Sequence, residues 1–170
     1  MNDFNKWFTT NLKVSRYPTP QECLEMNADI IINVSDEYIH GCMTEALKGN
    51  KLYYWFPMNE CTNDMGINSI FGALQILWNA EKKNKKVYLH CHAGVNRSPI
   101  IAQCFYYLKT NEYLEDDSKR MTIKLNIEAG HLPAQLRFEQ FLKDCRETFE
   151  RDETMRGGYL DQSKSKNKIN

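Results

Sequence analysis

Two kinds of hydrophobic pattern alternate along this chain. Short runs rich in β-branched and aromatic residues are separated by stretches in which apolar residues recur every three or four positions. Leu12 to Val14 forms a weak first strand. Thr19-Pro20-Gln21-Glu22 predicts a helix start, with Thr19 as N-cap, Pro20 as the first helical residue and Glu22 closing a capping box. Asp29-Ile-Ile-Ile-Asn-Val34 is a near-continuous apolar run and predicts a central strand covered on both faces. A helix is expected over 39–47, stopped by Gly49, and then a strand over Leu52 to Phe56, ended by Pro57. Residues 57–66 read as a polar loop. The following helix, 67–83, places Ile67, Ile70, Phe71, Leu74, Leu77 and Trp78 on one face, which the core should take. Val87 to His90 is a strand that runs directly into a loop beginning at Cys91. Further helices are predicted over 97–109, 117–126 and 133–149, the last with Leu136, Phe141, Leu142, Cys145 and Phe149 as its apolar stripe.

This alternation predicts an α/β fold: a central, mostly parallel sheet of four to five strands flanked by helices. Apolar residues thin out after about position 152, so residues 1–150 read as one domain and 151–170 as a polar, flexible tail. The 170-residue length suits one domain.

Composition narrows the function. The 22 basic and 22 acidic residues cancel, which argues against nucleic acid or an anionic membrane being found by bulk charge. A local basic pocket stays compatible with that balance. No apolar run reaches the length of a membrane span. The first residues carry an acid and no continuous apolar run, so no signal peptide is expected and a cytoplasmic location is. The six cysteines, at 23, 42, 61, 91, 104 and 145, show no zinc-finger or CxxC spacing. Cys23, Cys42, Cys104 and Cys145 sit among apolar residues and read as small buried hydrophobes.

Cys91 stands apart. The segment His90-Cys91-His92-Ala93-Gly94-Val95-Asn96-Arg97-Ser98-Pro99 puts a cysteine at a strand's end and an arginine at a helix's start. A short loop in that setting can turn its backbone N–H groups inward and add the helix N-terminal field, making an anion cradle. Gly94 frees the backbone for a conformation closed to other residues. Arg97 offers a planar fork for two phosphate oxygens. The same field should hold Cys91 as a thiolate, a nucleophile seated beneath a bound phosphate. Ser98 can donate its hydroxyl to the sulfur.

His-Cys-x-x-Gly-x-x-Arg-Ser resembles the signature of the cysteine-dependent protein tyrosine phosphatases, most closely their small dual-specificity branch. Its five fixed positions would coincide by chance in about 10⁻⁷ of windows, too rarely for accident. The resemblance extends over roughly residues 10 to 145, including the strand Ile30 to Val34. It implies a phosphotyrosine-phosphatase-like fold and a phosphocysteine formed on Cys91. Phosphate would be held by Arg97 and the amides of His92, Ala93, Gly94, Val95, Asn96 and Arg97. Ser98 would assist the second step and His90 would help to set the thiolate. No metal and no cofactor is implied. The family's general acid is an aspartate on a loop about thirty residues before the cysteine. Here Glu60 stands at that register and Asp64 follows, and both remain candidates.

Lysines are common in the loops of phosphoinositide-directed relatives and absent from this one. Asn96-Arg97 resembles the RNA 5′-triphosphatase branch, but Ala93 and Ser98 depart from its pattern. A phosphorylated protein is therefore the first substrate reading. A non-protein substrate such as RNA 5′-triphosphate ends, and a phosphopeptide-binding module that turns nothing over, are the alternatives. His131, in Ala-Gly-His-Leu-Pro, reads as a turn residue, and Cys61 as a candidate partner for an oxidised Cys91.

Overall fold

The computed structural model describes residues 11–59, 66–112 and 139–153. In chain order these hold β1 (Leu12–Ser15), α1 (Pro20–Glu25), β2 (Ile30–Asn33), α2 (His40–Lys48), β3 (Leu52–Trp55), α3 (Ile67–Lys82), β4 (Val87–His90) and α4 (Arg97–Thr110). A further helix, α5, covers 139–153. Among the described residues the sheet has four strands in the order β1-β4-β2-β3, and every pairing is parallel. The expected helix over 117–126 lies outside the described residues, as do His131, Leu136 and Cys61.

Side-chain alternation along the two central strands divides the core. Ile30 and Ile32 of β2, with Val87 and Leu89 of β4, pack against α3, α4 and α5. Ile31 and Tyr88 point the other way, to Cys23 of α1 and to Cys42 and Ala46 of α2. β2 is buried at all four positions, which is why its sequence reads as an unbroken apolar run. The edge strand β3 is only half covered and mixes aromatic with aliphatic residues.

The predicted capping box is present. Thr19 Oγ1 accepts from the Glu22 amide at 3.2 Å, and the Thr19 amide donates to the Glu22 carboxylate at 2.7 Å. Along α3, Ile70, Leu74, Leu77 and Trp78 are buried as their spacing implies, and Phe71 is partly so. α4 is buried nearly all round, so it lacks a polar stripe. α5 brings Leu142, Cys145 and Phe149 to the core, with the Phe149 ring 5.3 Å from that of Phe71 and 5.8 Å from that of Trp78. This helix runs past its expected end at Phe149. It continues to 153, where Glu153 accepts from the Trp78 indole at 2.7 Å and pairs with Lys82. Residues 151–153 are thus helical, held by polar contacts that a hydrophobicity pattern does not register.

Candidate active site

β4 and β2 end side by side, with His90 registered against Asn33. The site grows from these two strand ends, the place where an open parallel sheet offers a crevice. After His90 the chain turns through Cys91 to Asn96 and enters α4 at Arg97. Gly94 takes φ +75°, a left-handed conformation that disfavours other residues. A Cβ there would also fall 2.7 Å from the Ser15 carbonyl carbon and 2.9 Å from the Arg16 nitrogen. The end of β1 therefore forms a wall against the loop, and a bond from the Tyr17 amide to the His92 carbonyl (2.9 Å) ties the two together.

Inside the turn Cys91 is 1% exposed. Burial pushes its thiol pKa up. Hydrogen bonds from the Ser98 hydroxyl and from the Ser98, Gly94 and Asn96 amides outweigh that, and the pKa lies below its ordinary value. The Ser98 Oγ is 3.2 Å from the sulfur, as the sequence leads one to expect. His90 is fully buried. Its Nδ1 stands 3.1 Å from the Cys91 carbonyl, and since a carbonyl only accepts, Nδ1 carries the proton. Burial lowers the His90 pKa to about 4, so the ring is neutral near pH 7 and supplies no mobile proton. The Tyr17 ring meets it edge-on at 4.5 Å.

Arg97 is 5% exposed, and its Nη1 donates to Asp36 Oδ1 at 2.6 Å and to the Met58 carbonyl at 3.0 Å. Asp36 is the residue that the sequence reading missed. A signal was available: it follows β2 by three positions, at the C-terminal end of a strand that neighbours β4. The hydrogen bond from Arg97 holds its carboxyl below the usual range, so it carries no proton at neutral pH. Beside it Glu37 accepts from His92 Nδ1 at 3.2 Å, at the exposed rim. Val95 also stands exposed on the loop.

The structure thus brings together Cys91, Arg97, Ser98 and His90 around one turn, with His92, Ala93, Gly94, Val95 and Asn96 forming the turn itself. Glu60 and Asp64 lie outside the described residues, so their candidacy rests on sequence. Chemically, the arrangement can stabilise a thiolate and present it to an anion bounded by amides and a guanidinium.

A family model described as the catalytic domain of dual specificity phosphatases matches residues 13–145. No curated protein matches the sequence significantly. Among solved structures, Tk-PTP in the active form superposes with a TM-score of 0.56 at 18% identity, over 81% of this chain and 92% of that one. The core catalytic domain of the PP-IP phosphatase SIW14 from S. cerevisiae gives 0.57 at 14% identity, over 84% and 88%. PTPMT1 in complex with PI(5)P gives 0.57 at 15% identity, over 85% and 95%. At these identities the likeness is one of fold.

Proposed function

Because the chain belongs to the family of dual-specificity phosphatase catalytic domains, we propose that it hydrolyses phosphate monoesters on proteins, phosphotyrosine first, through a phosphocysteine. One observation carries the reading: a buried thiol whose pKa is lowered, ringed by three amides and a hydroxyl, on the same turn as a buried arginine. The Cys91 thiolate attacks phosphorus and the ester P–O bond breaks. The leaving oxygen takes a proton from a carboxyl of the loop between β3 and α3, Glu60 or Asp64. Arg97 and the loop amides hold the three equatorial oxygens as charge spreads over them. Water then attacks phosphorus, the same carboxylate takes its proton, and the S–P bond breaks with Ser98 donating to the departing sulfur. Asp36 is unsuited to be the acid, because its bond to Arg97 keeps it ionised. His90, buried and neutral, serves the loop's shape.

A protein substrate is favoured by the rim. Asp36 and Glu37 are half-exposed carboxylates there, and the loop from His92 to Asn96 has no lysine. Such a rim disfavours polyanions. The second reading, an inositol phosphate or another non-protein ester, draws on neighbours whose names include a PP-IP phosphatase and a PI(5)P complex. Phosphate release should be followed from a phosphotyrosine peptide, a phosphothreonine peptide, an inositol phosphate and a triphosphate-ended RNA. The expected result is turnover of the phosphotyrosine peptide that vanishes in Cys91→Ser and falls sharply in only one of Glu60→Gln and Asp64→Asn. Release solely from the inositol phosphate or the RNA would replace this reading with the second.

A further inference from the structure

We propose that Tyr38 and Trp55 form a side-chain subsite beside the Cys91 turn, one that takes a large apolar residue of a phosphoprotein about three positions from the phosphorylated one. The inference rests on the phosphatase reading above and deepens it from a phosphate pocket to a preferred flanking sequence. Among the described residues the exposed large hydrophobics are Tyr38, Ile39, Leu47, Leu52, Trp55 and Val95. Singly exposed apolar residues need no explanation, but contiguous ones mark contact surfaces. Leu47 and Leu52 lie where α2 ends and β3 begins, away from the site. Tyr38, Ile39 and Trp55 stand at the opposite end of the sheet, where β2 and β3 finish, and Val95 is in the Cys91 turn itself. The Tyr38 and Trp55 rings meet, with centroids 4.9 Å apart and planes 31° from parallel. Even so, Tyr38 is 39% exposed and Trp55 41%. Their polar tips are engaged: the Trp55 indole donates to the Ser35 carbonyl at 2.9 Å, and the Tyr38 hydroxyl to Met43 Sδ at 3.0 Å. What the pair offers a partner is mostly ring carbon.

Strand register places this pair. Trp55 is aligned with Asn33 of β2, and Asn33 with His90 of β4, so one row across the sheet runs from Trp55 to the residue before Cys91. Neighbouring strands are about 4.8 Å apart, which puts the Trp55 backbone about 10 Å from that of His90. An extended peptide advances about 3.4 Å per residue and crosses that gap in about three. The segment after β2 spans the same gap from within the protein. Asp36 lies against Arg97, Glu37 against His92 and Tyr38 against Trp55, so consecutive residues step from the turn out to the aromatic pair. Tyr38 is held in that place. Asn33, fully buried at the end of β2, is the hub. Its Oδ1 accepts from the Ser35 amide at 2.9 Å, and its Nδ2 donates to the Glu37 carbonyl at 2.9 Å. The same Nδ2 lies 3.1 Å from the Tyr17 hydroxyl and 3.2 Å from that of Tyr53. On the far side of Tyr38, the Ile39 amide donates to the Tyr17 hydroxyl at 3.1 Å. A surface fixed in advance loses little freedom when a partner binds. Charge selects the occupant. The half-exposed carboxylates of Asp36 and Glu37 lie between the turn and the rings. A nucleic acid or an anionic bilayer would meet them as like charge, whereas a peptide can present a neutral or cationic residue there.

The test is a ratio between substrates. A phosphotyrosine peptide otherwise made of alanine would carry a single leucine, moved in turn through about four residues on either side. For each enzyme, kcat/KM on a leucine peptide is divided by that on the peptide without leucine, so a general loss of activity cancels. Wild type should favour leucine about tenfold at a position about two to four residues from the phosphotyrosine. Tyr38→Ala and Trp55→Ala should each bring that ratio to within about twofold of unity. Tyr38→Phe keeps the ring and should keep the preference. Leu52→Ala, exposed but at the other end of β3, should keep it too. A flat profile in wild type overturns the proposal. So does a preference that survives Tyr38→Ala or Trp55→Ala, or one that Leu52→Ala abolishes as well. A flat profile together with binding to phosphatidylserine vesicles that Tyr38→Ala removes would make the pair a membrane contact instead. Wild type that releases phosphate from none of the peptides would refute the phosphatase reading alone. The ratio is then taken from the dissociation constants of the same peptides: a leucine preference lost in Tyr38→Ala upholds the subsite, and a flat or unaltered one overturns it.

Discussion

Cys91 and Cys104 lie in the same hydrophobic cluster, and both are almost wholly buried. Burial pushes the Cys104 thiol pKa far up, helped by neighbouring Cys145. At Cys91 the same force is overcome and the pKa goes down. The difference lies in the backbone. Cys104 is inside α4, where each amide is committed to a carbonyl one turn back. At Cys91 the amides of Gly94 and Asn96 in the turn, and of Ser98 in the first turn of α4 where no intrahelical carbonyl is available, reach the sulfur. Cys23 and Cys145, pushed up to about 12, side with Cys104. Depth of burial therefore says little about a thiol's reactivity. The destination of the surrounding amides says much more.

The contrast is broken most severely by exchanging the sulfur. Cys91→Ser should cost about 10⁴-fold or more in phosphate release, whereas Cys104→Ala should leave kcat/KM within about twofold. Comparable losses in both would make the effect one of packing. Alkylation tests it without mutation. At pH 7, peptide mapping after iodoacetamide should show Cys91 labelled about a hundredfold faster than Cys23, Cys42, Cys104 or Cys145. The thiolate is the reactive form, so the Cys91 rate should rise with pH and level off below the ordinary thiol value of 9.0. Even labelling of all five would remove the distinction.

Smaller changes sharpen it. Gly94→Ala puts a Cβ against the Ser15 carbonyl at a positive φ, so the turn must open and its amides must leave the sulfur. The Cys91 alkylation midpoint should move up and kcat/KM should fall by about thirtyfold, in line with about 1–3 kcal/mol of backbone strain. Ser98→Ala removes one donor and leaves the amides. A drop of about tenfold in kcat is expected, with a smaller upward shift of the same midpoint. Equal midpoints in Ser98→Ala and wild type would show that the amides alone hold the thiolate.

Much of this was readable beforehand. The alternation of apolar runs with helical stripes specified the parallel sheet, because both of its faces are covered and its central strands have no polar side to show. The box at Thr19 and Glu22 is local chemistry and appears where expected. Cys91, Gly94, Arg97 and Ser98 were legible because a turn fixes its members within a few residues. Asp36 was not, since its meaning arises from an arginine 61 residues away and only strand order makes them neighbours. The Asn33 hub was hidden for a related reason: an asparagine in an apolar strand shows its purpose only once Tyr17, just past β1, and Tyr53 of β3 are in place. The end of α5 was misjudged because Glu153 is held by Trp78 and Lys82, and polar partners leave no trace in a hydrophobic count.

The wall that β1 raises against Gly94 also has a meaning in time. During synthesis the first strand leaves the ribosome long before β4, the strand it pairs with. Until β4 has emerged and docked on β1, the turn that follows it has nothing to close against. The nascent chain then carries Cys91 as an ordinary thiol, no more acidic than its siblings. The lowered pKa belongs to the completed sheet, so a chain whose first strand has not docked, or has peeled away, loses the acidity that sets Cys91 apart. The architecture withholds its nucleophile until assembly is done.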